Sequence, residues 1–214
     1  AASLSVKQFL STNVESGEVN LERLEGDTHT FVQFALSPDG KTMVVGGQLT
    51  GKVLVFDTTD PSNMKLVDEI AVNAAPWHPV WTPDGKFVYV GNKMADTITV
   101  LDMTERKVAK VIESDQLAQP HGIAISPDGK YVFVSNNNVA GGMMMMNMGA
   151  KKDDDHAGHE GHQGHEGMMH GDKADDKAEM EEQPGRMVVI DTATNTIVKT
   201  LELGFNSTGV GAAT

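Results

Sequence analysis

The chain has 214 residues, 39% of them hydrophobic, which is enough for one domain with a buried core. Its formal net charge of −13 argues against nucleic acid or an anionic membrane surface as a partner, because both attract basic patches. It contains no cysteine, which excludes disulfides and thiolate sites. It also contains no apolar run of about 18 residues that would span a bilayer.

Three copies of one sequence pattern follow the first 27 residues. "ALSPDGKTMVVGG", "VWTPDGKFVYVGN" and "AISPDGKYVFVSN" have their prolines at Pro38, Pro83 and Pro127, at spacings of 45 and 44 residues. A second motif closes each copy: "GKVLVFDTT", "DTITVLDMT" and "RMVVIDTAT". Internal repetition at a fixed period of about 40 to 50 residues indicates an array of similar structural units.

Each copy predicts four short strands. Val, Ile, Phe and Tyr alternate or run continuously over five or six positions, bounded by Gly, Asp and Asn. Pro-Asp-Gly and Asp-Thr-x-Thr supply tight reversals between them, and no long amphipathic helix pattern competes. Units of four strands at this period predict an all-β fold, a β-propeller whose blades pack around a central channel.

The turn and the strands after it resemble a known family. A [S/T]-P-D-G-K turn, followed by "YVFVSN" or "FVYVGN" and then by a V-x-D-T strand end, is similar to YVTN-type β-propeller repeats over roughly residues 28–203, apart from one insertion. The resemblance implies a propeller of about seven blades. It also implies an exported protein, and an Ala-Ala start would suit a mature chain, so we expect a periplasmic or extracellular location.

The chain holds about four blades' worth of sequence. We assign residues 1–27 to the outer strands of an incomplete blade, residues 28–140 and 186–204 to three blades, and residues 205–214 to the start of a further blade. Because such a partial ring leaves open edges, we expect it to be completed by further sequence of a longer chain or by a second copy, as a homo-oligomer.

Residues 141–185 form an insertion in the third copy. From the turn glycine to the closing aspartate there are 17 residues in the first two copies and 62 in the third. With the strands named a to d from the channel outward, the insertion falls between strands b and c. It carries 11 acidic residues against 4 lysines and little apolar content, so we expect it to be flexible.

All eight histidines are predicted to lie at one face of the propeller. Blade strands are antiparallel, so the b–c loops and the d–a connections share the face opposite the Pro-Asp-Gly turns. Five histidines belong to the insertion, and the other three, His29, His78 and His121, come just ahead of innermost strands. The three lie at different distances from the prolines of their copies, so spacing leaves open whether they converge or each bond a local carbonyl.

The insertion combines two kinds of metal ligand. Imidazole suits zinc, nickel and Cu(II), whereas thioether favours Cu(I). The pairing points to copper, with zinc as the alternative and other soft ions such as silver also fitting. The candidate ligands are His156, His159, His162, His165, His170, Met143, Met144, Met145, Met146, Met148, Met168 and Met169, with the rim histidines His29, His78 and His121.

Other marked residues favour structural roles. The aspartates of the turns, Asp39, Asp84 and Asp128, are expected to form the turns rather than a site. Trp77 and Trp81 flank His78 and could wall a pocket, although inner-strand aromatics usually pack between blades.

The leading hypothesis is an exported copper carrier or buffer, whose loop captures metal and passes it to the rim histidines and then to a receiving protein. A second hypothesis is a metal-dependent oxidoreductase with a three-histidine copper or zinc site. A third is a protein-interaction scaffold. No P-loop, dinucleotide fingerprint, serine elbow or heme attachment motif supports another enzyme class.

Overall fold

The computed structural model describes residues 30–138 and 183–212, together with the backbone of two short strands near the start. Those two strands, β1 (Leu10–Thr12) and β2 (Val19–Leu21), form an antiparallel pair. The assignment of residues 1–27 to the outer part of a blade stays a prediction. No helix among the described residues is long and apolar enough to cross a membrane.

Three antiparallel sheets of four strands each follow, as the sequence repeat predicted, and the propeller architecture is confirmed. In each sheet the strands pair in chain order, so each repeat builds one blade. Blade 1 contains β3 (Phe31–Leu36), β4 (Thr42–Gly47), β5 (Lys52–Asp57) and β6 (Lys65–Ala71). Blade 2 contains β7 (Pro76–Trp81), β8 (Phe87–Asn92), β9 (Thr97–Asp102) and β10 (Lys107–Glu113). Blade 3 contains β11 (Pro120–Ile125), β12 (Tyr131–Asn136), β13 (Pro184–Asp191) and β14 (Thr196–Phe205).

Hydrogen bonds within each a–b turn stabilise it. In the first, Ser37 Oγ donates to Asp39 Oδ1 at 2.6 Å, the amide of Lys41 donates to the same oxygen, and Gly40 takes φ of +70°. Blades 2 and 3 repeat these bonds with Thr82 and Asp84 and with Ser126 and Asp128. These bonds lower the pKa of Asp39, with the hydroxyl of Ser37 contributing most. The regularly placed carboxylates are therefore turn formers.

The hydrophobic core lies between the blades. One cluster joins Val44, Val53 and Val55 of blade 1 to Trp81 and Val88 of blade 2. A second cluster joins the other face of blade 2 to blade 3 in the same manner. Because the middle strands are covered on both faces, they are continuously apolar rather than alternating.

Trp81 adds a polar link to this packing. Trp81 is 8% exposed, and its Nε1–H donates to the carbonyl of Ala35 at 3.1 Å. Trp81 therefore packs between blades, as expected for an aromatic of an innermost strand.

Blade 1 has an open face on its innermost strand. Phe34 and Leu36 of β3 are 60% and 52% exposed. The strand registers make Leu36 the counterpart of Trp81, which is covered by the preceding blade. The open face thus has the composition of an inter-blade surface.

Candidate functional site

The innermost strand of each blade begins with a β-bulge. The register shifts between Phe31 and Phe34 in β3, between Pro76 and Pro79 in β7, and between Pro120 and Ile123 in β11. In each case the innermost strand has one residue more than its partner. A bulge re-aims the side chains it carries, and bulges are frequent beside functional sites.

The residue before each bulge has a positive φ. The angle is 47° at Thr30, 57° at Ala75 and 53° at Gln119, none of them glycine. A residue with a side chain at such an angle costs on the order of 1 kcal/mol or more and needs support from its surroundings. Part of that support is a hydrogen bond at 2.9 Å from the amide of Lys93 to the carbonyl of Ala75.

The bulges of blades 2 and 3 bring two histidines together. The ring centroids of His78 and His121 are 5.0 Å apart, with the planes at 74°. We expected both histidines in the connections ahead of the innermost strands, and that expectation was wrong: His78 lies inside β7 and His121 inside β11. The bulges explain how residues within strands turn toward the same point.

The two histidines occupy different positions of the repeat. Because Pro76 and Pro120 have equivalent partners in the ladder, His121 is the counterpart of Trp77, and His78 is the counterpart of Gly122. The pair is therefore a specific feature of the junction between blades 2 and 3 rather than a repeated one.

Trp77 lines this pair instead of packing in the core. Its ring centroid is 5.2 Å from that of His121 and 6.2 Å from that of His78. Lys93 lies over Trp77, with its Nζ 4.6 Å from the centre of the Trp77 ring. We call these four side chains, Trp77, His78, Lys93 and His121, the rim cluster.

A backbone carbonyl fixes the tautomer of His121. Its Nδ1 lies 3.0 Å from the carbonyl oxygen of Thr208, in the segment that follows β14. A carbonyl oxygen only accepts, so Nδ1 carries the hydrogen and donates it. In the neutral ring Nε2 then keeps its lone pair, which is the arrangement of a metal-binding histidine supported from behind.

Both rim histidines are neutral at pH 7. Burial, followed by electrostatic repulsion from His121 and Lys93, lowers the pKa of His78 from 6.5 to about 4. Burial also lowers the pKa of His121, against the opposing effect of the bond to Thr208, and Lys93 adds to the lowering. Neutral imidazole is the form that ligates a metal.

The insertion leaves the blade next to this cluster. Residues 137–183 join β12 to β13, and the last residue of β12, Asn136, pairs with Pro120 at the start of β11. The amide of Asn137 donates to the carbonyl of Gln119 at 3.2 Å, two residues before His121. The Nδ2 of Asn138 donates to the carbonyl of Pro184 at 2.9 Å and so joins the two ends of the connection.

The remaining predicted ligands lie outside the described residues. These are His29 and every histidine and methionine proposed within residues 141–185. Within residues 30–138 and 183–212, no group of three or more His, Asp or Glu side chains is arranged to hold a metal ion. The structure therefore brings together two of the three rim histidines, and the third stays a prediction.

A cavity at the opposite face has a different character. It encloses about 280 Å³ between blades 1 and 2 and is lined by residues of the a–b turns, among them Pro38, Asp39 and Asp84, and by Arg106. Both carboxylates accept the hydrogen bonds that form their turns. This cavity therefore follows from turn packing, and the chemistry of the site lies at the rim.

Sequence reasoning missed Lys93 and Thr208 and undervalued Trp77. Lys93 reaches the cluster through the b–c turn of its own blade, and Thr208 reaches His121 across 87 residues. The one available signal was the pair "PWHP" and "QPHG", in which proline marks the strand start in both copies. Aligned on that proline, the two histidines differ by one position, which a bulge can accommodate.

Comparison with known proteins supports the fold. The family model for the lactonase 7-bladed beta-propeller matches residues 80–141. No curated protein matches the sequence significantly. Together with the three four-stranded sheets, the match defines the chain as a β-propeller protein.

Solved structures agree on the fold alone. The chain is similar to hydrazine synthase of Kuenenia stuttgartiensis, with a TM-score of 0.61 and 22% identity over 87% of this chain and 40% of that one. It is also similar to U3-55K and to the WD40 repeats of RRP9, each with a TM-score of 0.57, 10% identity and 88% of this chain covered. The chain spans between 40% and 44% of these structures.

Proposed function

We propose that the protein is an exported metal-binding β-propeller that captures, buffers or delivers copper, with zinc as the alternative. The observation that carries the proposal is the hydrogen bond from Asn137, at the start of the inserted connection, to Gln119, two residues from His121. A chain segment rich in metal ligands thus departs beside two neutral histidines.

The first step of the proposed function is capture by the insertion. Five imidazoles within 15 residues and seven thioethers in two runs offer ligands for both oxidation states of copper. The excess of 11 acidic residues over 4 lysines attracts cations of every kind and adds no selectivity. Softness of the ligands is therefore what favours copper over magnesium or calcium.

The second step is transfer to the rim. His121 has a bare Nε2 because its Nδ1 donates to Thr208, and His78 is held neutral by burial. Their rings lie 5.0 Å apart, which is close enough for one ion to contact both. We propose that His29 supplies a third ligand to this shared site.

The setting of the protein is part of the proposal. The YVTN-like motifs favour export to the periplasm or the extracellular space, where a receiving protein would take the metal. We also propose that the open face of β3, with Phe34 and Leu36, is covered in the functional assembly by a blade of a longer parent chain or of a second copy.

Metal content with and without the insertion tests this function. Residues 141–182 are replaced by two glycines, and β13 is left intact. Two glycines can span the gap because a hydrogen bond already joins Asn138 to Pro184. We expect the full chain to hold several copper ions and the shortened chain to retain one. Absence of copper from both proteins would contradict the proposal and favour a scaffold.

Single substitutions then locate the retained ion. In the shortened chain, His78→Ala and His121→Ala should each weaken the same ion by at least tenfold, because a shared coordination sphere loses a ligand in either case. His29→Ala tests the third ligand in the same way. If each change alters stability slightly and leaves the ion in place, the histidines bond local groups and the rim is no metal site.

A further inference from the structure

The rim cluster offers few atoms that can ligate a metal, and these atoms belong to the neutral imidazoles of His78 and His121. Within the described ranges, His78 and His121 are joined by no third imidazole or carboxylate in a metal-binding arrangement. Zinc in proteins is almost always held by four ligands. A monovalent ion with a filled d shell, Cu(I) or Ag(I), is stable with two nitrogen donors. The two donors in the described part of the chain therefore suffice for the monovalent ion, whether or not His29 adds a third.

A fixed positive charge stands beside the pair. The backbone bond to Ala75 and the face of Trp77 hold Lys93, whose Nζ is 4.6 Å from the ring centre. No carboxylate in the described part of the chain forms an ion pair with Lys93. The nearest carboxylate along the chain, Asp96, accepts the amide of Gln119.

The influence of Lys93 reaches both imidazoles. Among the described residues, Lys93 is the cation that lowers the pKa of both histidines, and no carboxylate there raises either. Within the described part of the chain, the side-chain charge that acts on both rings is therefore an ammonium rather than a carboxylate. A bound ion with charge +2 is repelled twice as strongly as one with charge +1 at the same place.

We propose that the rim takes a monovalent soft cation, Cu(I) or its stable analogue Ag(I), and that Lys93 is the residue that disfavours divalent ions there. This inference rests on the proposed function and assigns a selectivity to its second step. The acidic insertion gathers cations without regard to charge, and the rim selects among them. Lys93 touches no ion in this scheme; it acts through its charge.

The test uses the full chain with a probe at the rim. The protein has two tryptophans, so Trp81→Phe leaves Trp77 as the sole tryptophan, with its ring centroid 5.2 Å from that of His121. Quenching of Trp77 is titrated with Ag(I) and with Cu(II), each at buffered free concentration, so that ions taken up by the insertion do not distort the curve. His78→Gln in the same background should abolish the quenching at the rim.

Two variants of Lys93 separate charge from packing. Lys93→Gln removes the charge, and Lys93→Arg keeps the charge and the contact with Trp77. Because repulsion scales with ionic charge, the gain in affinity for Cu(II) on Lys93→Gln should be about the square of the gain for Ag(I): about ninefold where Ag(I) gains about threefold. Lys93→Arg should retain the preference for Ag(I).

Each outcome decides the matter. Equal gains for both ions, or tighter Cu(II) than Ag(I) binding by the unaltered rim, would overturn the role of Lys93. A chain that binds copper yet shows no Trp77 response overturns the rim selectivity and leaves capture by the insertion standing. A chain that binds no copper overturns the proposed function itself. Should Trp81→Phe unfold the chain, the shifts of the His78 and His121 ring protons in NMR spectra replace fluorescence.

Discussion

Gly46→Ala is the substitution that connects the packing of the blades most directly to the rim. Gly46 lies in β4, and a Cβ there would be 2.6 Å from the carbonyl oxygen of Pro76 and 2.8 Å from that of Trp77. Both atoms belong to the backbone of the bulge in β7, so no side chain can rotate away. The added methyl group must therefore displace the bulge that carries His78.

The expected cost is that of overpacking a tight contact. Extra methyl groups in well-packed regions cost about 1 to 3 kcal/mol, and contacts with backbone at such distances place Gly46→Ala in the upper half of that range. With a urea dependence of about 2 kcal/mol per molar, the unfolding midpoint should fall by about 1 M. Because the bulge moves, affinity for Ag(I) at the rim should fall as well.

Two further glycines serve as matched controls. Gly91 occupies the equivalent position in blade 2, where a Cβ would meet Pro120 no closer than 3.3 Å, so Gly91→Ala should cost less. Gly204 in β14 faces open space, and Gly204→Ala should be neutral. In blade 3, Ser135 occupies the position equivalent to Gly46 and Gly91. If Gly46→Ala unfolds at the same urea concentration as Gly204→Ala, the steric argument is wrong.

Three other predictions concern the insertion, the blade junction and the open face. Replacing the methionines within Met143–Met148 with leucine should weaken Cu(I) binding selectively, and replacing the histidines within His156–His170 with glutamine should weaken Cu(II) and Zn(II) binding. Equal losses for all three ions in competition titrations would refute this assignment of thioethers to Cu(I) and imidazoles to Cu(II) and Zn(II). Tyr89→Phe removes the hydroxyl that donates to Asn195 Oδ1 and should lower the free energy of unfolding by about 1 kcal/mol. An unchanged urea midpoint would show that this bond does not stabilise the fold. Leu36→Lys should lower the native mass in sedimentation if a second copy covers β3, and an unchanged mass would exclude that contact.

The fold was predictable because its signals are local and repeated. Pro-Asp-Gly fixes one reversal and the aspartate of the V-x-D-T motif fixes the other, and three copies in register leave one way to arrange four strands per sheet. The end of the insertion was less predictable. We placed it at Gly185, whereas β13 already begins at Pro184, and proline is tolerated as the first residue of a strand.

The rim was only partly predictable because it depends on contacts that are distant in sequence. Spacing placed His78 and His121 at one face, yet the bulges that bring their rings to 5.0 Å leave no composition signature. Lys93 reads as an ordinary turn residue, and the role of Thr208 depends on a carbonyl, which every residue has. The contacts of the rim that depend on bulges and backbone carbonyls could therefore not be predicted from the sequence.

The pKa values at the rim make pH a means of separating the two metal sites. An imidazole binds metal only when it is deprotonated, so protons compete with the ion and the affinity falls as the pH drops below the pKa of the ligands. Histidines in water titrate near about 6.5, whereas burial lowers the pKa of His78 to about 4 and also lowers that of His121. At a pH of about 5.5, histidines with the ordinary pKa are mostly protonated, whereas His78 is not.

If the rim histidines kept the ordinary pKa of about 6.5, both sites would lose metal over the same pH range. The structure leads to a different prediction. At constant free metal, the stoichiometry should fall first as pH drops through about 6.5, where the insertion releases ions held by imidazole. One ion should remain until a lower pH, because burial lowers the pKa of His78 to about 4 and also lowers that of His121. His78→Gln should remove that late step and leave the first unchanged. A single release near pH ~6.5 in the unaltered protein would show that the rim histidines hold no ion of their own.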